Sequence, residues 1–78
     1  MAGHHLDPLL RPKSIAVVGA SAREHSVGQQ IMRQLLDGGF GGAIYPINPR
    51  YDEIEGVACF ADLNDLPGPV DLAVRVAR

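Results

Sequence analysis

The stretch that decides the fold is Lys13–Gln29, KSIAVVGASAREHSVGQ. Ser14-Ile15-Ala16-Val17-Val18 is a short, apolar, β-branched run of the kind that fills a strand covered on both faces. Gly19-Ala20-Ser21 breaks that run with residues small enough for a ligand to approach the backbone. Ser26-Val27-Gly28-Gln29 then has capping-box form, Ser followed three places later by Gln, just where a helical apolar pattern begins. Strand, glycine turn and capped helix, in that order, make the corner at which α/β proteins hold phosphate. The free N–H groups and the positive end of the helix dipole supply the attraction.

Working outward, the spacing predicts a helix from about Val27 to Asp37, with Val27, Ile31 and Leu35, joined by Met32 and Leu36, on one buried stripe. Gly38-Gly39-Phe40 closes it, a left-handed glycine followed by an apolar residue that folds back on the last turn. Gly42 to Pro49 reads as a second strand, kept short because Pro46 cannot donate to a ladder. Strand, helix and strand within about 30 residues imply a right-handed crossover and a parallel pair. Asn48-Pro49-Arg50-Tyr51 follows the carboxyl end of that strand, on the same sheet edge as the Gly19 turn. Asp52 to Gly56 reads as a polar loop, and Asp62 to Leu66 as a short helix stopped by Pro67-Gly68-Pro69. Val70 to Val76 reads as a third strand. Asp7-Pro8-Leu9-Leu10 has the form of a single helical turn ended by Pro12. The expected organisation is an N-terminal extension over 1–12 and an α/β, Rossmann-like parallel βαβαβ half with three strands over 13–78.

A chain of 78 residues allows one small domain, and 46% hydrophobic with 21% charged residues is a globular composition, not a disordered one. A net charge of −2 disfavours a nucleic-acid or anionic-membrane surface. No apolar run approaches the roughly 18–20 residues of a spanning helix. The N-terminus, Met1-Ala2-Gly3-His4-His5, has no signal-peptide form, which makes a cytoplasmic protein the expectation. Cys59 is the single cysteine, so it forms no internal disulfide and reads as a small, half-buried hydrophobe. His4 and His5 read as solvated residues. Two features stand apart at the other end. Arg75 places a charge in what should be a central strand, and the chain stops at Arg78, directly after that strand. Half of a doubly wound sheet would leave the first strand with an open apolar edge, so a fragment of a longer protein is expected.

The glycines of the corner, Gly19 and Gly28, have none between them, which fits neither G-x-G-x-x-G nor G-x-x-x-x-G-K-[ST]. The second strand ends in Pro46-Ile47-Asn48, without the carboxylate that holds a ribose diol, and Asp52 and Glu53 come too late. An NAD(P)-binding oxidoreductase fragment is therefore the disfavoured alternative, and a non-functional truncated fragment is another. What remains is a loop, Ser21 to Ser26, able to wrap a phosphate-bearing ligand. Ser21 and Ser26 offer hydroxyls, and Arg23 and Arg50 offer charge. Ser26 also reads as a helix cap. Tyr51 reads either as an adenine platform or as a packing residue. No Ser-His-Asp or Cys-His set is legible, and His25 reads as an exposed loop residue.

Leu10-Arg11-Pro12-Lys13 with Ser14 to Ser21, Ser26-Val27-Gly28, Gly39-Phe40, Ile44 to Tyr51, Asp65-Leu66-Pro67 and Pro69 to Val74 together carry a resemblance. They resemble the N-terminal CoA-binding domain of NDP-forming acyl-CoA synthetases, a family related to the α subunit of succinyl-CoA synthetase. The same module occurs in multidomain protein acetyltransferases. The resemblance runs from Leu6 to Val74. It implies that the turn and loop from Gly19 to Gly28, including Ala20, Ser21, Arg23, Ser26 and Val27, hold the phosphates of CoA or acyl-CoA. It also implies that Asn48-Pro49-Arg50 stands where the family has Asn-Pro-Lys, whose basic residue reaches the nucleotide end. Two departures mark this chain. Ala22-Arg23-Glu24-His25-Ser26 replaces a segment that often carries Pro-Gly, and Val76-Ala77-Arg78 replaces a Val-Pro-Ala that touches CoA, which predicts that the third CoA contact is damaged or missing. The family's phosphorylated histidine belongs to a later domain, and none of His4, His5 or His25 matches it. The resemblance thus implies CoA binding with no catalysis by this segment alone, and the remaining synthetase domains or subunits as partners.

Overall fold

The computed structural model describes residues 12–76. Along the chain come β1 (Ser14–Val18), α1 (Val27–Asp37), β2 (Ala43–Ile47), β3 (Glu53–Ile54), β4 (Val57–Ala58), a 3-10 turn (Leu63–Asp65) and β5 (Leu72–Arg75). The turn expected at Asp7–Leu10, His4, His5, Ala77 and Arg78 lie outside the described residues.

The main sheet is parallel and runs β2-β1-β5. Ser14 faces Ala43 and Val18 faces Ile47 on one side, while Ile15 faces Leu72 and Val18 faces Arg75 on the other. This order corrects one expectation. An open edge was expected on the first strand, but the chain crosses back to the far side of β1 and covers it. The first strand is therefore central, and it is β5 that borders the described sheet. Arg75, expected in a two-sided strand, is accordingly exposed, and among the described residues no charged or polar residue is buried. The reversal of direction puts the switch between crossovers at β1, where open α/β sheets bind their ligands.

Centrality explains the apolar run of β1. Ile15, Ala16 and Val17 are all buried, and Ile15 and Val17 join Ala20, Met32 and Ile54 in the core. The helix has the predicted limits. Its stripe is narrower than the sequence implies: Met32 is fully buried, Ile31 and Leu35 are half-buried, and Val27 and Leu36 are exposed. Gly38 donates to the Gln34 carbonyl at 2.8 Å, Gly39 takes a φ of 82°, and Phe40 packs back on the core, as expected from the sequence.

Pro46 sits fully buried inside β2 at no cost to the β1–β2 ladder. Its carbonyl faces away from β1 and accepts from Phe60 N at 2.9 Å, so the absent N–H also belongs to the outer edge. The Asn48 N–H closes the same short bridge on Phe60 O at 2.8 Å.

The segment read as a polar loop, Asp52 to Gly56, is half of an antiparallel hairpin, β3–β4. Glu55 (φ 52°) and Gly56 (φ 80°) form its two-residue turn, both left-handed as a twist-matched hairpin requires. The helical part of the second crossover is the single 3-10 turn. Ile54 explains why so short a hairpin is fixed, since its side chain is wholly buried in the core. Replacing Ile54 by Ala should lower stability by about 2–5 kcal/mol, read as a fall in the urea midpoint; an unchanged midpoint would mean that the hairpin is not anchored through this residue.

Candidate functional site

Three strand ends meet at Gly19. Its N–H extends the ladder to Ile47 O at 2.9 Å, and Val76 N reaches Val18 O at 2.8 Å from the other side. Gly19 turns the chain with a φ of 92°, and a Cβ there would lie 3.3 Å from the Val76 Cβ. Ala20 is buried in the core, so only its backbone faces the loop.

The first turn of α1 presses directly on this bend. A Cβ on Gly28 would stand 2.7 Å from the Gly19 carbonyl oxygen and 2.9 Å from Ser21 N. Val27 and Gly28 are the first two helical residues, whose N–H groups have no acceptor within the helix, and neither they nor Ser21 N donate to another described residue. These donors and the positive end of the helix dipole gather at the carboxyl edge of β1. Val27 is 56% exposed there.

The loop from Ser21 to Ser26 is wired internally. Ser21 Oγ accepts from Arg23 N at 2.9 Å and lies 3.4 Å from the Tyr51 hydroxyl. Ser26 caps the helix, accepting from Gln29 N at 3.1 Å, and its one hydroxyl proton goes to Arg23 O at 2.7 Å. The Ser26 hydroxyl therefore shapes the loop and has no proton left for a ligand. The capping box closes one residue early: Gln29 Oε1 accepts from His25 N, at 2.9 Å, instead of from the cap residue. His25 is exposed, as expected, and adopts a φ of 65°.

Across the edge, Asn48 fastens the two loops together. Its Nδ2 donates to Ala20 O at 2.9 Å and its Oδ1 accepts from Arg50 N at 2.9 Å. Pro49 and Arg50 are exposed beyond it, and Arg23 is exposed on the facing loop. Among the described residues the one ion pair joins Arg33 and Glu55, so neither Arg23 nor Arg50 is neutralised by a described carboxylate. Tyr51 packs against the core through its ring, which favours the packing reading over a free adenine platform. No group of three metal-ligating side chains occurs among the described residues.

Residues 13–78 match the family described as a CoA binding domain. The chain belongs to the CoA-binding domain family. An ADP-forming acetate–CoA ligase of Methanocaldococcus jannaschii is 52% identical over 65 residues, which is 83% of this chain and 9% of that protein. An uncharacterized Bacillus subtilis protein is 39% identical over 70 residues, 90% of this chain and 50% of its own length. Among solved structures, the apo form of the dinucleotide-forming acetyl-coenzyme A synthetase 1 of Ca. Korarchaeum cryptofilum superposes with a TM-score of 0.84 at 47% identity, covering 90% of this chain and 15% of that one. The chain spans about a tenth of the length of the first curated relatives it matches. The parallel Rossmann-like architecture is thus that of the CoA-binding domain of ADP-forming acyl-CoA synthetases.

In this CoA-binding domain two contributors to the site escaped the sequence reading. Gln29 was legible as half of a capping box, but its link to Glu55 depends on the hairpin, whose signal is only the pair Glu55-Gly56. Cys59 is the other. It is half-buried, as expected, and its Sγ donates to the Asn48 carbonyl at 3.5 Å. Burial, the largest cause, pushes the Cys59 thiol above its ordinary range, and the nearby Asp52 carboxylate adds to the shift.

Two outcomes follow for this site. Gly28→Ala should force α1 away from the turn, lowering stability by about 1–3 kcal/mol in spite of alanine's better helix propensity; a thermal melt at or above that of the parent would show that the contact has slack. Cys59, held as the neutral thiol, should react with iodoacetamide more slowly at pH 8 in the folded chain than in urea, and equal rates would contradict the raised pKa.

Proposed function

We propose that the chain binds CoA or acyl-CoA by its phosphates at the Gly19–Gly28 corner, and carries out no chemistry by itself. The observation that carries this reading is the contact of Gly28 with the Gly19 carbonyl and Ser21 N, which sets unpaired helix N–H groups at the carboxyl edge of the central strand. Arg23 and Arg50, exposed on the two bordering loops, supply charge for an anionic ligand that backbone dipoles alone would hold loosely. Family membership points to CoA as that ligand. Relatives that share this segment include ADP-forming acetate–CoA ligases, of which it matches about a tenth, which supports the remaining synthetase domains or subunits as its partners and the cytoplasm as its place of work. An NAD site is the poorer reading, because β2 is followed by Asn48, whose amide is engaged with Ala20 and Arg50, and no carboxylate stands there for a ribose diol.

The test is a thermal melt with and without millimolar CoA, with NADH as control. CoA at a hundred times its Kd should stabilise the fold by about 2.7 kcal/mol, and NADH at the same concentration should do little. Arg50→Glu should weaken CoA about tenfold or more, the worth of a charge-assisted contact. A melt that moves equally with NADH and CoA, or not at all with CoA, would remove the proposal.

A further inference from the structure

We propose that Glu55, on the tip of the β3–β4 hairpin, is a positioning residue for the phosphate loop and acts on it through Gln29; this rests on the CoA-binding reading above. Ile54 roots the hairpin in the core, and the left-handed turn at Glu55 and Gly56 brings the Glu55 carboxylate back onto α1, where only 22% of its side chain stays exposed. There Oε2 accepts from Gln29 Nε2 at 3.3 Å, and Oε1 lies 3.4 Å from Arg33 Nε.

Gln29 passes this constraint on. Its Oε1 accepts from the His25 N–H at 2.9 Å. Only one sense of the amide satisfies both neighbours: reversed, it would set oxygen against the carboxylate and NH2 against the His25 N–H. Glu55 therefore selects the orientation in which Gln29 grips the loop. The grip falls on a residue that needs one, because His25 is not a glycine and yet holds a φ of 65°. Such a conformation persists where its surroundings determine it. On either side, Ser26 and Arg23 close the turn, through Ser26 N to Arg23 O at 3.2 Å and Ser26 Oγ to the same carbonyl at 2.7 Å. The direction of the loop over the corner, and with it the placing of Arg23, is thus tied to a hairpin that follows β2.

The ion pair with Arg33 is not the working part, since Arg33 is 63% exposed and an exposed pair contributes little. Hydrogen-bond acceptance by residue 55 is, and this separates the variants. Glu55→Gln keeps an acceptor for Gln29 and loses the charge; Glu55→Ala loses both. Two readouts apply to each: the strong intraresidue HN–Hα cross-peak that a positive φ produces at His25 in the unliganded protein, and the CoA Kd by calorimetry. Glu55→Ala should diminish the cross-peak and raise Kd about fivefold, Glu55→Gln should preserve both, and Glu55→Ala combined with Gln29→Ala should be no worse than Gln29→Ala alone. A wild-type cross-peak with Kd within about twofold in Glu55→Ala, or losses that multiply in the double variant, would overturn the proposal. If the unmodified protein binds no CoA, the ligand reading fails, and the His25 cross-peak alone still decides whether Glu55 positions the loop.

Discussion

The structure depends on how closely the first turn of α1 can approach the end of β1. At Gly28 the backbone of the helix lies against the backbone of the turn, with no space for even a methyl group between them. The dipole end of a helix acts over only its first turn and loses strength in water. Its value as an anion site therefore rests on being held at contact distance from the edge of a rigid strand. The burial pattern serves that end. β1 is buried through its three central residues, and Met32, one turn beyond Gly28 on the same helical face, is fully buried beneath the helix. Fully buried side chains on both elements, Val17 and Met32, thus fix the corner.

The far side of the site is set by different means. β2 has no strand of the main sheet beyond it, and its outer edge is satisfied at its end by Phe60. Pro46 suits that arrangement because its missing N–H falls on the outer edge. Asn48 then uses backbone and side chain together: its N–H to Phe60, its Nδ2 to Ala20 and its Oδ1 to Arg50 N. A single residue thus sets the β1 turn, the end of β2 and the start of the Arg50 loop against one another. That makes Asn48 a joint of the scaffold, with Arg23 and Arg50 exposed on the two loops that it joins.

Much of this was legible in the sequence, and the limits are instructive. β1, α1 and the glycine bend follow from local signals that agree with one another: a β-branched run, a cap, a helical period and a left-handed stop at Gly39. The position of the third strand did not follow, because apolar periodicity identifies a strand without saying on which side of its neighbours it lies. In the described sheet Arg75 lies opposite Val18 and its side chain is exposed. The β3–β4 hairpin was missed because two-residue strands are too short to display an alternation, and Glu55-Gly56 is a weaker turn signal than Asn-Gly or Asp-Gly. The roles of the polar residues at the corner depend on geometry that residue type alone does not carry. Ser26 and Asn48 turn inward and shape the loops, whereas the Arg23 and Arg50 side chains are exposed.

Selectivity at such a corner comes from what borders it. Free N–H groups and a helix dipole receive a phosphate from almost any ligand. A carboxylate at the end of the second strand accepts from the hydroxyls of an unmodified ribose and repels a phosphorylated one. Here the position is taken by Asn48, whose Oδ1 already accepts from Arg50 N. The first ionisable side chain after β2 is Arg50, a cation that no described carboxylate neutralises. Such a border lacks the acceptor that an unmodified ribose diol requires. The exchange of carboxylate for cation therefore separates this corner from an NAD fingerprint.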